Sequence, residues 1–144
     1  MSHLSSSRYL VLMSPEALIQ LSADLVGEFV LSRKSISAAT VGAALITDKG
    51  NVYTGVNLDL FCGVGVCAEH SAVAEMLKHR ETRIQMRVAH RNTGILPPCG
   101  RCRELMMQVN AENKATLIIL PDREIVPLES LLPNYWSSYL PKSY

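Results

Sequence analysis

Apolar and polar positions along this chain follow two periods in turn, and each change of period marks an element. Ser14-Pro15-Glu16 opens the first: Ser14 can cap free backbone N–H groups, Pro15 suits the first helical position, and Glu16 faces the positive end of the dipole. Leu18, Leu21, Leu25 and Phe29 follow at spacings of three and four with Val26 beside them, which predicts a core-packing helix running to about Ser32. Residues 40–47 (TVGAALIT), a turn cluster Asp48-Lys49-Gly50-Asn51 and residues 52–56 (VYTGV) read as a β-hairpin. The small residues Gly42, Ala43 and Ala44 imply close packing against its first strand.

A loop with Gly63 and Gly65 spans 57–66, and a helix is expected from Ala68 to about Arg80, with Ala72, Val73, Met76 and Leu77 on one face. Residues 85–90 read as a strand and 91–98 as a loop. A third helix starts near Cys99 and runs through Leu105, Met106 and Val109. The apolar run 115–120 suits a buried strand; Pro121-Asp122-Arg123 turns, 124–126 adds a short strand, and 127–132 a short helix stopped by Pro133. The order α-β-β-α-β-α-β-β-α predicts an α/β fold in which helices cover a central sheet, and the early hairpin makes that sheet mixed.

Composition narrows the class. The chain has 144 residues, the size of one domain, and residues 14–144 are expected to form it, after a flexible N-terminal segment 1–13. With 48% hydrophobic and 19% charged residues the chain reads as folded, not disordered. A net charge of +1 argues against electrostatic binding to nucleic acid or to an anionic membrane. No apolar run approaches the ~20 residues of a membrane span, and Leu10-Val11-Leu12-Met13 is too short for a signal sequence, so a cytoplasmic location is expected. In that compartment the four cysteines, Cys62, Cys67, Cys99 and Cys102, point to metal or catalysis.

Three of them fall into two clusters, Cys67-Ala68-Glu69 and Pro98-Cys99-Gly100-Arg101-Cys102. Cys99 and Cys102 stand three apart, on one face of a helix start, where free N–H groups and the dipole favour thiolate. Three thiolates can hold Zn²⁺ tetrahedrally and leave a fourth position for water, and Glu69 beside that water is placed to move protons. A closed Cys₄ site recruiting Cys62 and a redox C-x-x-C pair are the alternatives. A non-ligand Glu followed by P-C-x-x-C is the pattern of zinc nucleobase deaminases.

With these motifs the chain resembles the small cytidine deaminases and, in places, the related blasticidin-S deaminase. The resemblance runs over 41–132 and includes Val41-Gly42-Ala43-Ala44-Leu45, Gly55-Val56-Asn57, Cys67-Ala68-Glu69, Pro98-Cys99-Gly100-Arg101-Cys102-Arg103 and Leu131-Leu132-Pro133. It implies a three-layer α/β/α sandwich with a five-stranded mixed sheet, one Zn²⁺ per chain on Cys67, Cys99 and Cys102, and Glu69 as the proton carrier in hydrolytic deamination of a cytidine- or deoxycytidine-type nucleoside. It also implies a homotetramer. A blasticidin-S-type nucleoside is the alternative substrate, and a non-catalytic structural-zinc protein the alternative class.

Substrate contacts are expected from Asn57 and Asp59, which stand where the family has Asn-x-Glu, and from the backbone at Cys67 or Ala68; Phe61 in the loop is a further candidate for the pocket wall. His70 stands where many relatives have an arginine that offsets thiolate charge, a task that also fits Arg101 or Arg103. Tyr135, Trp136 and Tyr139 form an aromatic tail, for base stacking or for packing.

Overall fold

A computed structural model describes residues 13–143; the expected flexible segment lies almost wholly outside them. Helix α1 (Pro15–Asp24) starts as its residues predict, with Ser14 Oγ accepting from the Ala17 N–H at 3.1 Å. It stops well before Ser32. Gly27 N–H instead donates to Ala39 O at 2.9 Å, and strand β1 (Phe29–Val30) pairs antiparallel with the start of β2 (Ser37–Thr47). An apolar face at helical spacing was overridden here by a glycine and by a free sheet edge. Phe29 and Val30 accordingly end up exposed.

Strand β3 (Val52–Asp59) completes the expected hairpin with β2. Helix α2 (Ala68–Lys78) follows, then β4 (Ile84–Arg91). The expected loop 91–98 instead contains β5 (Gly94–Leu96), which folds back on β4 through a turn where Gly94 has φ +131°. Helix α3 (Gly100–Val109), β6 (Leu117–Ile119), β7 (Ile125–Pro127) and α4 (Leu128–Leu131) complete the order.

The rows of the sheet run β3-β2-β4-β6-β7, the five expected. Two short strands raise the total to seven, β1 extending the β4 row beside β2 and β5 extending the β6 row beside β4. The sheet is mixed because β4 and β6 run parallel and the other pairs antiparallel. Alternation along the strands sorts the core into two layers. Ala44, Ile46, Met86, Val88 and Ile119 pack on Leu18 and Ile19 of α1. Leu45, Ile84 and Ile118 pack on Ala72, Val73 and Met76 of α2, Met106 and Met107 of α3 and Leu128 of α4. This is a three-layer α/β/α arrangement. No described helix is long and apolar enough to cross a membrane.

Two features of this frame set the site. The β2–β3 register slips between Ala38 and Gly42, around Ala39 at φ +64°, a bulge that frees the Val41 N–H from the ladder. The small residues let the helices come close. A Cβ on Gly42 would run into the Ser22 carbonyl and Leu25 Cβ, and one on Gly55 would meet Ala72 N at 2.5 Å and Ala68 O at 2.6 Å. Backbone atoms cannot yield as side chains do, so Gly55→Ala is expected to push α2 off the sheet. A loss of about 1–3 kcal/mol in denaturant unfolding, with weaker metal retention because α2 carries Cys67, is the expected reading. Unchanged unfolding would show that α2 accommodates the methyl.

Candidate active site

Loop 60–66 turns back on β3 through paired bonds between Leu58 and Val66 (Leu58 N–H to Val66 O 3.0 Å; Val66 N–H to Leu58 O 3.2 Å). The chain therefore enters α2 beside the end of β3, with Cys67 as its N-cap residue. Cys99 is the N-cap residue of α3. Neither makes a side-chain capping bond, so both sulfurs remain free to face one another at 3.6 Å. Cys99 and Cys102 Sγ are 3.5 Å apart. A tetrahedral zinc with Zn–S near 2.3 Å needs S···S edges of about 3.8 Å; the Cys67–Cys99 and Cys99–Cys102 distances are near that value, and the Cys67 and Cys102 sulfurs lie within 4.8 Å of each other. Cys62 is exposed, at φ +56° in the loop, and is not part of the cluster.

His70 joins this cluster, which the residue pattern left outside the ligand set. Its Nδ1 lies 3.8 Å from Cys102 Sγ, and the donor atoms of Cys67, His70 and Cys102 are all within 4.8 Å of one another. Burial, with repulsion from Arg101, lowers the His70 pKa against an opposing pull from Glu69, so the ring is a neutral donor or ligand and not a standing cation. Arg103 Nε and Nη1 donate to Pro98 O and Leu131 O, both at 2.8 Å, tying the start of α3 to α4. Arg101 is exposed at the cavity rim.

Helix starts alone do not keep these thiols ionised. Burial, and then the Glu69 charge, pushes Cys102 far up; burial, and then the Cys99 contact, raises Cys67. Cys99 is lowered in spite of burial, because the Cys102 backbone N–H and the neighbouring thiols bond to its sulfur.

A cavity of about 480 Å³ opens beside the cluster, walled among others by Val41, Asn57, Asp59, Ala68, Glu69 and Arg101. Glu69 sits in the first turn of α2 and is 7% exposed. Arg87 of β4, 1% exposed, donates through Nη2 to Glu69 Oε1. Nothing in the periodicity marked Arg87 out. The available signal was a charged residue in the middle of a strand otherwise fit for burial. Also lining the cavity, Asn57 accepts the freed Val41 N–H on Oδ1 at 2.8 Å, and its Nδ2 donates to Thr40 Oγ1 at 2.7 Å and Asp59 Oδ2 at 3.1 Å. Thr40 Oγ1 also donates to Asp59 Oδ2 at 3.0 Å. Asn57 thus spends both N–H donors ordering the wall, and the Asp59 bonds all fall on one oxygen. Ala68 is buried at the floor. Phe61 is 53% exposed and is not among the lining residues; nor are Tyr135, which packs on the core, or the exposed Trp136 and Tyr139.

Thiols at two helix starts that could hold a metal, next to a carboxylate with an oxygen unengaged among the described residues and a cavity, are the equipment of a metal-assisted hydrolase. The family model of the cytidine and deoxycytidylate deaminase zinc-binding region matches residues 20–117, and the chain belongs to that family. The cluster and the zinc-binding description of this region fit one Zn²⁺ per chain.

Cytidine deaminase of Shewanella woodyi is 33% identical over 106 residues, covering 72% of this chain and 34% of that protein; a Haemophilus influenzae cytidine deaminase is 32% identical over the same shares. The chain therefore spans about a third of the length of these curated relatives. Among solved structures, cytidine deaminase from Mycobacterium tuberculosis aligns with TM-score 0.70 at 27% identity, over 84% of this chain and 95% of that one. Cytidine deaminase from Burkholderia pseudomallei gives TM-score 0.70 at 24% identity over 86% and 100%, which speaks for the fold.

Proposed function

We propose that this protein is a zinc-dependent hydrolytic deaminase that converts cytidine- or deoxycytidine-type nucleosides to the uridine form with release of ammonia. The observation that carries it is Glu69, held off the metal cluster in the first turn of α2 and lining the cavity beside it. Cys67, Cys99 and Cys102 are the ligands we assign, supported by two sulfur separations near a tetrahedral edge and a third below 4.8 Å. When bound, zinc supplies Lewis acidity that lets water ionise near neutral pH. Glu69 takes a proton from the attacking water and gives it to ring N3. Hydroxide adds at C4; Glu69 then takes the proton of the new C4 hydroxyl and passes it to the amino group, so that the C4 carbonyl forms as the C–N bond breaks and ammonia departs. Water is consumed and one amine is exchanged for one carbonyl, so the step balances.

The wall formed by Asn57 and Asp59 would hold the sugar. Asp59 keeps one carboxylate oxygen for a ribose hydroxyl, and Asn57, its amide fixed by Thr40 and Val41, orients Asp59 and offers a remaining lone pair. The Ala68 backbone at the floor is assigned to the base carbonyl. Phe61, outside the cavity in the single chain, contributes only if the loop or a neighbouring subunit brings it in. We read the assembly as a homotetramer and the compartment as cytoplasmic, where free thiols persist.

A second reading rests on the 3.8 Å approach of His70 to Cys102: a closed Cys₃His site would be structural, with no position for water. One set of measurements tests both. Purified protein should carry about one zinc and release ammonia from cytidine or deoxycytidine, and His70→Ala should keep that zinc. A zinc-loaded protein inactive on cytidine, deoxycytidine, cytosine, cytidine monophosphate and blasticidin S, and stripped by His70→Ala, would establish the structural site. Blasticidin S as the best substrate would select the alternative nucleoside class, and a preference for the monophosphate would overturn the nucleoside assignment.

A further inference from the structure

Arg87 is the largest fully buried side chain described. It lies in the centre of β4, with Leu45 of β2 and Ile118 of β6 as its cross-strand partners, both members of the apolar layer under α2 and α3. A guanidinium in such a layer is costly unless paired and bonded. Its pairing is sparse. Nη2 donates to Glu69 Oε1, Nη1 reaches Leu96 O at 3.3 Å, and Nε has no partner. Glu69 is its one acidic partner among the described residues. Buried ion pairs are commonly no better for stability than apolar residues of like volume, so the fold alone gives no reason for this one.

Its position does. Strand alternation puts Arg87 on the same face as Ala89, which lines the cavity, so Arg87 stands one step beneath the cavity floor. From there it grips the one Glu69 oxygen that bonds to protein; Glu69 accepts no other side-chain or backbone bond among the described residues. It is also a buried cation near a site where, with zinc bound, three thiolates and a carboxylate would outweigh the divalent ion.

We propose that Arg87 is a positioning residue for the deamination, a clamp from beneath that fixes Glu69 Oε1 so that Oε2 is the oxygen presented to water and to the pyrimidine. This rests on the role of Glu69 given above. A carboxylate that must collect two protons in turn from the attacking oxygen and deliver them to two nitrogens loses rate when it can turn away, and misplacement by about 1 Å costs on the order of 100-fold. The clamp touches neither substrate nor metal, so binding is left almost unchanged.

The test uses the full chain loaded with zinc. Arg87→Met is expected to keep the zinc and to lower kcat for ammonia release about 100-fold, with KM moving less than about threefold. Arg87→Lys should recover a large part of kcat, because it restores a buried cation. A folded, zinc-loaded Arg87→Met enzyme with kcat within about twofold of the parent overturns the clamp. A melting-temperature cycle gives a second readout without activity. Arg87→Met should lower the melting temperature by clearly more in the parent than in the Glu69→Gln background, and equal losses in the two backgrounds overturn the pairing. Where Arg87→Met does not fold, the same cycle and the same kcat comparison are run with Arg87→Gln, which also lacks the cation. A parent protein that deaminates nothing refutes the deaminase reading by itself, whereas an active parent with an indifferent Arg87 refutes only this inference.

Discussion

Glu69→Gln is expected to leave zinc content and fold intact while ammonia release falls by roughly 10²–10⁴, the range a positioned acid/base contributes. The amide is the same size and its carbonyl oxygen can still accept from Arg87, so the buried cation keeps a partner. Neither packing nor the metal cluster is disturbed, because Glu69 is not among the sulfur and imidazole donors that converge there. What disappears is the capacity to take a proton from water and return it to the ring. The measurement is kcat with zinc stoichiometry on the same preparation. A variant that retains full activity removes Glu69 from the mechanism, and one that loses its zinc makes Glu69 a determinant of the metal site.

Loss of metal is the expected result of Cys99→Ala. Cys99 is exposed and makes no capping bond at the start of α3, so its removal costs the fold little, unlike removal of the buried Cys102. The weakening of zinc binding should exceed the roughly 10–100-fold of outer-shell changes, and activity should go with it. Cys99 is also the thiol of the cluster whose pKa is lowered, and so the first to offer a thiolate. Cys67 and Cys102 are pushed up and stay protonated at neutral pH, so zinc must displace their protons. The sign follows: affinity rises with pH and falls in acid, and zinc uptake near neutrality releases protons. A pH-indicator titration reads this directly. Zinc binding by Cys99→Ala equal to that of the parent would point to a Cys67/His70/Cys102 site.

Much of this architecture is local in origin. Ser14-Pro15 starts a helix because its own atoms serve the helix end, and the hairpin around Asp48-Lys49-Gly50-Asn51 follows from strand alternation interrupted by turn residues. Gly42 with Ala43 and Ala44 announced close packing, and α1 is what Gly42 admits; the close approach of α2 over Gly55 was not foreseen. The errors fell where a distant partner decided. Residues 25–30 carry a helical pattern, yet the free edge of β2 captures Phe29 and Val30. Residues 94–96 lack a strand-length pattern, yet β4 offers them an edge. Competition between a segment's own preference and a sheet edge elsewhere cannot be weighed from the segment alone.

The site divides in the same way. Sequence by itself determined the thiols, the carboxylate and the pyrimidine-deaminase family pattern, because Cys67-x-Glu69 and Cys99-x-x-Cys102 are short-range arrangements whose chemistry lies in residue type and spacing. Tertiary structure alone decided that the two clusters meet at 3.6 Å, that His70 stands with the sulfurs, that Asn57 spends its amide on Val41 and Thr40, and that Arg87 lies beneath Glu69. Each of those joins residues far apart in the chain or turns a side chain toward a particular partner. Sheet register and helix docking set such distances, and neither is written in any one stretch of residues.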